Sequence, residues 1–80
     1  MMKSYAVRIY CANIIDINET RKFWDGQINV IKNSLFEQEF DMIPPSDFRG
    51  DESYNWAKAM CSFIKDETDH SAEIVEIISN

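Results

Sequence analysis

Eighty residues, 45% of them apolar and 28% charged, bound one domain: too apolar for a disordered chain and too short for two cores. The formal charge of −6 belongs wholly to the second half, because residues 1–40 hold five acids and five bases while residues 41–80 hold nine acids and three bases. That asymmetry argues against general nucleic-acid binding, since phosphates would be repelled, and no stretch approaches the ~18 apolar residues of a membrane span.

In chain order, Ser4 to Ala12 alternates with period two. Tyr5, Val7, Ile9 and Cys11 fall on one face and Ala6, Arg8, Tyr10 and Ala12 on the other. With β-branched and aromatic residues at these positions, this is a strand. Asp16 then stands three residues before Glu19, a variant capping box. Beyond it Ile17, Trp24, Ile28, Ile31 and Leu35 form one apolar helix face, which predicts a helix near 17–34. Asp25-Gly26 competes with that reading, because Asp-Gly flanked by apolar pairs is a hairpin signal. The helix segregates its faces better, at a cost of about 1 kcal/mol for Gly26 in its interior.

Gln38, Phe40 and Met42, with Phe36, alternate with Glu37, Glu39 and Asp41, which predicts a short strand at 36–43. Pro44-Pro45 ends it. Pro44 to Gly50 is a connection whose Phe48 is expected to tuck onto the core. Asp51 follows as a cap for a helix at 51–66, with Tyr54, Ala57, Cys61 and Ile64 on one stripe and Trp56, Met60 and Phe63 beside it. Ser71 to Ile78 suits a strand or a short helix, and its β-branched content favours the strand. Ala72, Ile74 and Ile78 then face the core, with Glu76 the exception on that face. The expected architecture is α+β, a small two-layer sandwich of order β-α-β-α-β with two helices on one face of a three-stranded sheet. Its exposed edges invite pairing with a partner or a second copy.

Reactive machinery is sparse. Cys11 and Cys61 read as buried, reduced thiols of a cytoplasmic protein, and residues 1–8 lack an apolar run of signal-peptide length. His70 is the only imidazole, and two cysteines with one histidine match no zinc spacing. Asp66-Glu67-Thr68-Asp69 lacks the glycine turn and terminal glutamate of a calcium loop. Two glycines cannot form a phosphate-binding loop. The sequence therefore predicts no catalytic residue, no metal and no cofactor. Arg8 and Tyr10 on the outer face of the first strand could clamp a nucleic-acid base, but a cross-strand pair covering the sheet is the favoured role.

What remains is binding. Asp66, Glu67, Asp69, Glu73 and Glu76 crowd eleven positions without a base, and Trp24 and Trp56 belong to aromatic pairs, Phe23/Trp24 and Tyr54/Trp56, that cannot all point inward. These seven are the candidate partner-binding residues. The expectation is a non-enzymatic module that engages a protein with a basic surface, with neither nucleic acid nor membrane as a direct partner. Its concrete form is a phage- or plasmid-type inhibitor occupying the nucleic-acid-binding surface of a host defence enzyme. The alternatives are a homodimer or larger homo-oligomeric adaptor joined through sheet edges, and a small ligand-binding or enzymatic domain using Cys61 or a carboxylate pair.

Overall fold

The computed structural model describes residues 2–11, 16–24, 27–33 and 38–79. Strand β1 runs over Met2–Cys11, helix α1 over Ile17–Trp24, strands β2 and β3 over Gln27–Asn33 and Gln38–Ile43, helix α2 over Asp51–Glu67 and strand β4 over Ser71–Ser79. The strands form one sheet in the order β2-β3-β1-β4, and every neighbouring pair is antiparallel. Each helix therefore crosses over one intervening strand. This is the connectivity of the ferredoxin-like, split βαβ arrangement.

The α+β class and the placement of both helices on one face agree with the sequence. The strand count does not: there are four strands, and the order is β-α-β-β-α-β. The correction lies in the expected 17–34 helix. It ends at Trp24, and Gln27–Asn33 is a strand. Ile28 and Ile31 fit a helical stripe, while Ile28 and Val30 fit one face of a strand. Tertiary pairing decides between them: Ile28 sits opposite Met42 and Val30 opposite Phe40. The chain is thus neither one long helix nor a hairpin about Asp25-Gly26, and that dipeptide lies outside the described residues.

β1 is the central strand, and its alternation organises the molecule. Val7, Ile9 and Cys11 point to the helix side, where they meet Phe40, Met42, Ile28, Ala72 and the buried α2 face of Ala57, Cys61 and Ile64. Tyr5, Ile17, Trp56, Met60, Phe63 and Ile74 close around this core. As expected, Ala72 and Ile74 take the core face of β4, with Glu76 on the same side. Asp16 also caps α1 as read from the sequence: its Oδ1 accepts the amides of Asn18 at 2.9 Å and Glu19 at 3.3 Å. Glu19 itself lies 3.7 Å from Lys22.

The start of α2 departs from expectation. Gly50, not Asp51, is the N-cap, at φ 56° and ψ −124°. Ser53, not Tyr54, leads the buried stripe, and Tyr54 is 43% exposed. The cause is polar rather than apolar. β3 pairs with β1 only over Val7–Cys11, so the β3-side backbone groups of Lys3 and Tyr5 need other partners. The segment after β3 supplies them: the Gly50 amide donates to the Lys3 carbonyl at 3.1 Å, and the Tyr5 amide donates to Ser53 Oγ at 3.2 Å. Ser53 Oγ in turn donates to the Gly50 carbonyl at 2.8 Å. Tyr54 is left to stack edge-on against Tyr5, with ring centroids 5.2 Å apart.

Gly50 occupies a backbone region that side chains rarely adopt, although no atom lies within 4 Å of where a Cβ would stand. Its substitution cost is therefore conformational. Gly50→Ala should destabilise the fold by about 1–3 kcal/mol, read as a lower urea midpoint with an unchanged slope. An unchanged midpoint would show that the turn relaxes freely.

Candidate functional site

With both helices on one side, the other face of the sheet carries no helix. Its residues are the even positions of β1 and their cross-strand neighbours. Arg8 stands opposite Asp41 on one side and Glu73 on the other; Tyr10 stands opposite Glu39 and Ser71. On β2, Asn29 stands opposite Asp41 and Lys32 opposite Glu39 in register, while the fully buried Ala6 and the half-buried Val75 and Ile77 continue the face towards the other end. Among the side chains described there, three acids surround one base.

Arg8 grips Asp41 with two parallel hydrogen bonds, Nε to Oδ1 at 2.9 Å and Nη2 to Oδ2 at 3.3 Å. The Arg8 side chain is 33% exposed and that of Asp41 16%, so the pair is partly desolvated and its fork geometry is specific. The hydrogen bond to Asp41 raises the Arg8 guanidinium above its ordinary value. The Tyr10 hydroxyl donates to Glu73 Oε1, and this bond raises the phenol above its ordinary value. The cross-strand role favoured for Arg8 and Tyr10 is what the geometry shows. Glu39 and Asp41 were missed as site residues. Their signal was the acidic side of the 36–43 alternation, and only the pairing with β1 sets them beside Arg8.

The structure does not bring the seven sequence candidates together. Glu73 lies on the helix-free face, whereas Glu76 lies on the opposite one, 3.2 Å from Lys3 Nζ. Asp66 and Glu67 end α2, and Asp69 follows in the turn; all three are exposed. Trp56 is half-buried against the core. Trp24 ends α1, and its side chain lies outside the described residues, as does that of Phe23. His70 is half-buried in the same turn, its amide donating to Thr68 Oγ1 at 3.1 Å.

Both cysteines are free and sit in the shared core. Burial pushes the Cys11 thiol up to about 11 and raises that of Cys61. Both therefore stay protonated at neutral pH, when the thiolate is the nucleophilic and metal-binding form. Among the described residues, no three His, Cys, Asp or Glu side chains are grouped to hold a metal ion. No described helix is long and apolar enough to cross a membrane. Comparison with known proteins finds no matching family model, curated protein or solved structure.

Two outcomes follow. The folded state holds the Cys11 proton more tightly than the unfolded chain does. The associated stability is complete below the unfolded pKa and is lost as pH rises through the folded one, between about pH 9 and 11. The raised Tyr10 phenol acts with the same sign at alkaline pH. Urea midpoints should fall across that window, and Cys11→Ala should flatten the fall. Separately, Asp41→Ala should cost on the order of 1 kcal/mol by denaturant titration, as for a partly exposed, hydrogen-bonded ion pair. No loss would mean that solvent already screens the fork.

Proposed function

We propose that this protein is a small acidic, non-enzymatic module that docks a basic protein surface through the helix-free face of its sheet. One observation carries the reading. Three strands set Glu39, Asp41 and Glu73 side by side around Arg8, which Asp41 already engages. Tyr10 and the half-buried Val75 and Ile77 extend the same face and provide area that a partner can desolvate. The exposed Asp66, Glu67 and Asp69 precede β4 and lie at the end of the sheet where β1 finishes and β3 begins, close to Glu39 and Glu73 in the topology. A sheet face that presents carboxylates to a nucleic acid would be repelled, and a face built to stack bases wants aromatics where β3 carries Glu39 and Asp41.

The concrete form is an inhibitor of phage or plasmid type. Its carboxylates stand where phosphates would and meet the lysines and arginines of a host defence enzyme's nucleic-acid channel. The fold lends itself to no single activity, so the argument rests on the site alone.

The test begins with affinity purification from the native host at physiological ionic strength. A partner with a basic surface should be retained, and should wash off at high salt, because exposed charge pairs are screened within about 8–10 Å. Calorimetry with the purified partner should show Glu39→Lys and Glu73→Lys each weakening binding by roughly tenfold or more, since close charge pairs across an interface couple by about 1.5 kcal/mol upward. DNA or RNA bound by the partner should compete with this protein. Equal binding by the charge-reversed variants, or a partner indifferent to salt, would overturn the reading.

A further inference from the structure

We infer that β4 is a self-pairing edge: two copies of this chain join β4 to β4 about a two-fold axis, making one eight-stranded sheet and one continuous acidic face. The four-stranded sheet has two edges, β2 and β4. They differ in how they are protected. β2 carries a register shift between Val30 and Lys32 and holds a lysine in its sequence there, and a break in register and a lysine on an edge strand both discourage edge pairing. β4 pairs with β1 without a shift from Ser71 to Ser79, and those nine positions hold neither proline, glycine nor lysine. Among the described residues, no strand lies on its other side.

The strand is also complementary to itself. A two-fold axis normal to the sheet keeps each face on its own side, so paired residues must share parity. Centring the axis on Val75 gives the longest overlap, because all nine residues of Ser71–Ser79 then find partners. In that register Val75 meets its own copy, Glu73 meets Ile77 and Glu76 meets Ile74. No carboxylate faces a carboxylate, which would be destabilising. Shifting the centre to Glu73 or Glu76 would set like charges directly opposite. The longest pairing is thus also one free of charge conflict. It places the two Glu73 carboxylates on the same helix-free face, four residues apart along the strands, or about 14 Å. Each copy then completes the other's acidic surface.

Sedimentation equilibrium across a wide concentration range should show a species of twice the chain mass. Val75→Lys sets two like charges opposite each other and should return the chain mass with an unchanged circular dichroism spectrum. Ile77→Lys places its ammonium opposite the partner's Glu73 and should leave the dimer intact. Val75→Cys should form an intermolecular disulfide on mild oxidation, since paired Cα atoms 4.5–5.5 Å apart suit that bond, while the wild type with its buried thiols should not. This last variant decides the matter even if the lysine variant fails to fold. A wild-type monomer at every concentration overturns the inference, as does a dimer that Val75→Lys leaves intact.

Discussion

β1 is hydrogen-bonded on both sides, and its strict alternation divides the whole protein in two. Val7, Ile9 and Cys11 cannot turn outward without exposing the most buried part of the core, so Arg8 and Tyr10 cannot turn inward. A slip of one residue would bury a guanidinium and a phenol under α2 and present Ile9 to solvent. The register of β1 against β3 and β4 is therefore set by burial, and every polar relationship on the helix-free face inherits it. The apparent cost is at the N-terminal end of β1, where β3 is too short to pair. There the start of α2 serves as a substitute strand. One serine hydroxyl and one glycine amide satisfy the exposed edge, and in doing so they fix the rotation of the helix.

The electrostatics of the outer face follow from the same geometry. Asp41 engages Arg8 in a two-bond fork, so the arginine braces the sheet rather than offering a free cation to a phosphate. Glu39 and Glu73 leave the described side chains of this face net negative, with Lys32 of β2 opposite Glu39 in the register. Tyr10 likewise donates its hydroxyl to Glu73 across the sheet.

Local pattern revealed most of this fold. The alternations of β1 and β3 and the length of α2 were legible from their own apolar periods, whereas β4 was read as a strand from its β-branched content, since its period suits a short helix equally. The failures share a different cause. Gln27–Asn33 reads as helix or strand by period alone, and only its pairing with β3 resolves it. The rotation of α2 was misread because hydrophobic spacing fits Tyr54 as well as Ser53, whereas Ser53 is turned inward to accept the Tyr5 amide that β3 does not reach, forty-eight residues away. The site shows the same limit. Arg8 and Tyr10 were visible as a polar face, and Glu39 and Asp41 as another, but their union depends on a non-local strand register. The run from Asp66 to Glu76 misled in the opposite direction. Closeness in sequence suggested one patch, and strand alternation sends Glu73 and Glu76 to opposite faces.

Glu73 links the two surfaces that matter most. On one flank it receives the Tyr10 hydroxyl and stands beside Arg8; on the other it lies on the strand whose outer edge has no described neighbour. Charge on an edge strand normally discourages pairing, and here two glutamates in nine residues are the sole charges. Their spacing blunts that protection. Separated by three positions, they fall on opposite faces, so a two-fold partner centred on Val75 offers each of them an isoleucine. The two glutamates therefore oppose self-pairing only in the registers centred on themselves, and the longest register, centred on Val75, stays open. Pairing there would double the acidic face without adding a residue, and a doubled face can engage a two-fold or extended basic surface at two points. Bivalent contact of that kind strengthens binding far beyond what one copy's few carboxylates supply.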